Sequence, residues 1–215
     1  MSGPAPVVTD PGERLFWTLM RRFETLAVDR YTTHAPALLL AAKQRFVGTL
    51  AADEAAGGSL AGSPLDRPTD ALLARAQSPD EASTLLVQGL VLEILAQAIY
   101  RLVAGKDGVS DVSRTRAADG LAASEAVGAI AAVRIAELIG TGDPLYVRFA
   151  AVTYDVLGAL DGLADPVDRV FGERFGLRFA DVMGEFTADL ISTCTALGMQ
   201  RRKVVAQLAG AAMGI

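Results

Sequence analysis

A single cysteine, Cys194, stands in this chain of 215 residues, which excludes an intrachain disulfide and any CxxC redox or zinc pair. A single histidine, His34, excludes every site that needs two, the paired Glu-x-x-His motifs of four-helix carboxylate metal proteins among them. Positive charge is scarce as well. Twenty Lys and Arg against 25 Asp and Glu give −5 and a pI near 4.9, which argues against the basic footprint of a nucleic-acid binder. No Gly-rich phosphate loop of Walker or dinucleotide type occurs. Cys194 lies in the helical run ISTCTAL with no adjacent basic residue to lower its pKa, so it does not read as a nucleophile.

What is abundant is apolar. Hydrophobic residues make up 51% and charged residues 21%, with mean hydropathy +0.33, enough to offset the ordering entropy that keeps polar chains disordered. The length sets an expectation of one domain. No segment alternates with period two long enough for a strand, and 38 alanines favour helix. The fold expected is an all-α, single-domain bundle of about seven to nine helices around a central hydrophobic helix. Residues 1–10 read as a disordered N-terminal lead and 11–215 as the domain.

Prolines mark where helices start, because the first helical position needs no N–H. Pro11, Pro36, Pro68, Pro79, Pro144 and Pro166 stand at such starts. Asp10-Pro11-Gly12-Glu13, Ser78-Pro79-Asp80-Glu81 and Asp165-Pro166-Val167-Asp168 add capping boxes, and Asp143-Pro144 adds a fourth capped start. Glycines at 57, 105, 140, 176 and 198 read as left-handed stops. Helices are predicted near 11–31, 35–56, 68–77, 79–104, 112–139, 144–161, 166–175, 177–197 and 199–212. Residues 57–67 read as a surface loop.

No apolar run precedes Arg14, the first basic residue, so no signal peptide is expected and the cytoplasm is the default location. Leu85–Val103 has the length of a membrane span, but it carries Gln88, Glu93, Gln97 and Arg101, and charges at mid-span are costly. It reads as the buried central helix, and no membrane span is expected.

Four features bear on function. Glu93, Gln97 and Arg101 fall four apart with Tyr100 beside them, which permits a hydrogen-bonded chain along the central helix. With Gln88 they form a candidate ligand site in which Arg101 would anchor an anion. Gly120, Ser124, Gly128, Ala132 and Ala136 form a bare ridge, suited to tight packing within the bundle or to a subunit interface. Val204, Val205 and Leu208, with Ala211 and Met213, make the last helix an apolar candidate for self-association. Asp181, Glu185 and Asp189 align on one face, as a stripe paired within the chain or a docking site for a basic partner.

Asp161 and Asp165 have the DxxxD spacing that resembles the diphosphate-binding motif of head-to-head prenyl synthases. Pro166 breaks the helix straight after the pair, and Asp165 is better explained as the cap of the next helix. His34 reads as an exposed or capping residue, with an axial haem ligand as the alternative. No metal site is expected, and no cofactor is indicated. Three function classes stay open. The first is a non-enzymatic adaptor or regulator that self-associates, as a homodimer. The second is a carrier or sensor for an apolar ligand (lipid, isoprenoid or haem-like) beside residues 79–104. The third is an enzyme whose substrate brings its own metal or cofactor.

Overall fold

The computed structural model describes residues 8–34, 37–55 and 59–213. The protein is all-α: 84% helical, with eight helices and no strand among the described residues. They are α1 (Pro11–His34), α2 (Ala37–Ala55), α3 (Asp66–Arg75), α4 (Glu81–Ala104), α5 (Asp111–Leu138), α6 (Asp143–Leu160), α7 (Phe179–Ala196) and α8 (Arg201–Met213). Between α6 and α7 the chain runs through short 3-10, α and π turns over 161–175.

Four helices close a ring. Lys43 meets Glu24, which sets α2 beside α1. Ser124 meets Lys43 while Gly120 meets Phe46, so α5 runs antiparallel to α2. Gly120 also meets Tyr100 and a side-chain-free Gly89 faces Ala131, which sets α4 antiparallel to α5. Trp17 stacks on Tyr100 and Tyr31 bonds Glu93, which sets α1 antiparallel to α4. Hence α2 and α4 are parallel, joined by one long crossover that includes α3. Two antiparallel pairs joined by one such crossover make a four-helix bundle. At one end of the ring, Glu13 accepts from the hydroxyls of Ser110 and Ser113. Trp17 Nε1 also donates to Ser113, over 2.8 Å, and the Arg116 guanidinium lies over the Trp17 ring.

The remaining helices cover α4. Its middle packs on α6 and its second half on α7, while α8 closes over α6 and α7. Leu90, Ile94 and Leu95 are all buried, as expected of a central helix. By length and composition Glu81–Ala104 could cross a membrane, yet 83% of its apolar window is buried against the rest of the chain.

Several local expectations are corrected. Asp10 caps α1 as predicted, accepting from the backbone N–H of Gly12 and Glu13. Val8 is buried, so the lead packs from that point on, and residues 1–7 lie outside the described ones. The cap of α4 is Asp80, which accepts from Ser83 N–H at 2.7 Å, not Ser78; the helix starts two residues past the proline. Asp165 caps nothing: it sits inside the turn Ala164–Val167, and Asp168 instead accepts the Phe179 N–H that opens α7. Gly142, with φ +72, precedes α6 in place of Asp143. Gly140, Gly176 and Gly198 have positive φ as expected of stops, whereas Gly105 ends α4 at φ −90 without the left-handed turn. The Pro36 start and Gly57 lie outside the described residues. In the 57–67 loop, Leu60 and Leu65 are buried anchors.

The largest surprise is Leu85–Leu92, which winds as a π-helix with every residue buried. Such widened turns are rare and rely on packing rather than propensity. Here the widened turn lies where Gly89 meets α5: a Cβ on Gly89 would fall 2.7 Å from the Ala131 Cβ.

Candidate functional site

Each helix of the ring places polar residues on its buried stripe, one on α2 and α5 and two on α1 and α4 at the centre. On α1 the stripe runs Met20, Glu24, Ala27, Tyr31; on α2 it runs Leu39, Lys43, Phe46, Leu50. On α5 it runs Ala117, Gly120, Ser124, Val127, and α4 supplies Glu93 and Tyr100. The steps of three and four put all of these side chains inward.

The result is a buried ionic centre. Lys43 Nζ donates to Glu24 Oε2 at 2.6 Å and to Ser124 Oγ at 3.0 Å, and lies 2.6 Å from Glu93 Oε2. The Tyr100 hydroxyl donates to Glu24 Oε1 at 2.7 Å, and the Tyr31 hydroxyl to Glu93 Oε1 at 3.1 Å. One ammonium thus faces two carboxylates, each also held by a phenol. Burial pushes Glu93 up to about 7, helped by the Glu24 charge and opposed by Lys43. Burial works against the Lys43 charge, yet Glu24 and Glu93 together hold its pKa above the ordinary lysine value. Both phenols are pushed well above the usual tyrosine range, by burial and then by the carboxylates they face. Four-helix bundles commonly build metal and ligand sites from inward side chains at this place. In this chain the position between the carboxylates is filled by the Lys43 ammonium, 2.6 Å from each, and Glu93 Oε2 has that ion pair and no hydrogen bond. Among the described residues no group of three or more His, Cys, Asp or Glu is placed to hold a metal.

The predicted polar thread on α4 is not a chain. Glu93 pairs with α1 and α2, Gln97 donates to the Ser124 carbonyl at 3.1 Å, and Arg101 turns outward to α7. Arg101 Nη1 lies 2.9 Å from both Glu185 and Asp189, so the acidic stripe of α7 is paired within the chain at those two residues, and Asp181 is exposed. Arg101 is thereby a surface clamp between α4 and α7 and not the anchor of a pocket floor. Gln88 is buried in the π-turn and donates to the Ala76 carbonyl at 2.8 Å. The divergence has a simple cause: residues four apart advance about 40° around a helix, so eight residues turn a face toward a different neighbour.

The bare ridge of α5 meets this chain's own helices. A Cβ on Gly120 would lie 2.7 Å from Phe46 and 2.9 Å from Tyr100; one on Gly128 would lie 3.2 Å from Gln97. Ser124 is fully buried at the ionic centre. On α8, Val204 and Ala211 are buried and Leu208 is partly buried, which leaves Val205 and Met213 exposed. His34 ends α1, and Cys194 is buried with its thiol pushed up to about 12 by that burial, which keeps it an unreactive thiol.

The opposite face of α4 borders a cavity of about 60 Å³. Phe16, Met20 and Phe23 of α1 and Leu92, Leu95 and Ile99 of α4 form two of its walls. The 161–175 turns and the start of α7, with Leu177, Phe179 and Val182, form the third. Every lining residue is apolar. None of the residues predicted for ligand binding is among them, although the cavity does lie beside the predicted helix. Sequence pattern could have found Glu24, Tyr31 and Lys43, since a charge on an otherwise apolar helical stripe must find a partner. Compared with known proteins, the chain matches no family model and no curated protein.

Proposed function

We propose that this protein is a helical carrier or sensor for a small apolar ligand, held in the cavity between α1, α4 and the start of α7. The observation that carries this reading is the cavity lining, which is apolar throughout in a protein whose bundle is ionic at its centre. Binding sites for small molecules are concave and mainly apolar, with few polar groups. The ionic centre does not compete for this role, because Lys43 fills the space between Glu24 and Glu93.

A ligand that binds only the folded state raises its stability in proportion to the logarithm of its concentration. Thermal melts of the full chain with increasing decanol, decane or naphthalene test the reading. A concentration-dependent rise in Tm with at least one of them is the expected result. Melts unmoved by all three overturn it.

Self-association is the second reading, and it rests on Val205 and Met213 of α8. Sedimentation at micromolar concentration reads it directly: a dimer that Val205→Glu dissociates supports it, and a monomer ends it.

A further inference from the structure

The cavity has walls of two kinds. α1 and α4 are tied to each other on their far side by the Tyr100–Glu24 and Tyr31–Glu93 bonds, with Trp17 stacked on Tyr100 at 6.1 Å between ring centres. They cannot separate without breaking a buried ionic centre. The third wall is held differently. The start of α7 has no cap from its own Arg178 and follows Gly176 at φ +63; its cap comes from the preceding turns, Phe179 N–H donating to Asp168 Oδ1 at 2.6 Å, and otherwise Leu177 and Val182 hold it by apolar packing. Farther along, the Arg101 clamp to Glu185 and Asp189 is solvent-exposed. Phe23, Ile99 and Phe179 are the lining residues of α1, α4 and α7 that are only partly buried, so the mouth of the cavity lies where these three helices meet.

We infer that the cavity takes the end of a slender, uncharged hydrocarbon chain, which enters past Phe179 by displacement of Leu177–Val182 while α1 and α4 stay fixed. This rests on the apolar-carrier reading and narrows it. Two observations select the ligand class. With no polar side chain in the lining, a charged or hydrogen-bonding group brought inside would lose its water with nothing in exchange, so any headgroup stays at the mouth. The space, about 60 Å³, is less than half of the roughly 150 Å³ that admits benzene in an engineered apolar cavity, so a chain end fits and a ring does not.

The test is calorimetric titration of the full chain with decanol and with naphthalene, repeated on Ala96→Leu, which fills the cavity, and on Phe179→Trp, which narrows its partly exposed mouth. Circular dichroism identifies any variant that does not fold, and the other then carries the test. Decanol is expected to bind the wild type and naphthalene is not. At least one folded variant is expected to lose about tenfold or more in decanol affinity, or, for Phe179→Trp, to slow its association. Naphthalene binding as well as decanol, or decanol binding unchanged in every folded variant, overturns the inference and leaves the carrier reading standing. Binding of neither compound overturns the inference, and the carrier reading falls with it when decane also leaves the melts unmoved.

Discussion

α1 and α4 present opposite faces to two unlike interiors. Toward α2 and α5 they carry Glu24, Tyr31, Glu93 and Tyr100, whose contacts are directional and specify one register. Toward the 161–182 segment they carry Phe16, Met20, Phe23, Leu95 and Ile99, whose contacts depend on shape alone. The first face fixes the bundle, since a buried charge tolerates no displacement from its partner. The second can yield, because one apolar contact replaces another at little cost. A rigid seam beside an adaptable wall is how a small bundle can combine a defined fold with room for a guest.

The largest effect breaks the rigid side. Lys43→Met strands Glu24 and Glu93 without their cation and is expected to cost about 3–5 kcal/mol in denaturant unfolding. Adding Glu24→Gln and Glu93→Gln to it restores much of that loss, because the amides still accept from Tyr100 and Tyr31 with no charge left unpaired. A triple variant as unstable as the single one would mean the centre contributes shape rather than charge.

Next in size is Gly120→Ala. Its methyl would meet the Phe46 and Tyr100 rings at 2.7 and 2.9 Å, an overpacking expected to cost about 1–3 kcal/mol. The same change at Gly184, where nothing lies within 4 Å, is expected to be harmless or mildly stabilising. Equal melting shifts for the two would remove the close approach from the account.

The pH response of the ionic centre comes third. The folded-state pKa of Glu93, about 7, lies above its ordinary value of 4.5, so the folded state binds more protons between these values. The contribution of Glu93 to stability is therefore full below about pH 4.5 and is lost as pH rises through about 7. Unfolding free energies measured from pH 5 to 8 are expected to fall less steeply in Glu93→Gln than in the wild type. Identical slopes would show that the carboxyl titrates normally.

The smallest effect is on the adaptable side. Arg101→Ala removes an exposed clamp and is expected to cost within about 1 kcal/mol. Because Arg101 faces α7 while Glu93 faces α1 and α2, the losses in Arg101→Ala and Glu93→Gln are expected to add. A coupling measured in the double variant would revive a relay along α4 through Gln97.

Much of the architecture was legible in the residues alone. Helix content, the central position of α4 and the Asp10 cap follow from apolar spacing and capping chemistry, which act within a few residues of chain. The acidic stripe at Glu185 and Asp189 invited a cation, and the cation proved to be Arg101. Proline was a weaker guide past 160, where Pro166 lies inside a helical turn and the cap it implied passed to Asp168.

What the tertiary structure alone decided is which polar groups meet. Lys43 and Glu24 are 19 positions apart and Tyr100 and Glu24 are 76 apart, so no local pattern pairs them; they meet because four helices close into a ring. The π-turn Leu85–Leu92 and the cavity beside α4 belong to the same category. An all-apolar run reads alike whether wound as α or π, and a void is a property of how walls fit, which composition does not record. Local chemistry determined that this chain is helical and where most helices begin, because propensity and capping are short-range. The buried charge centre and the space for a ligand arose only from packing, because desolvation and shape act on groups that the fold brings together.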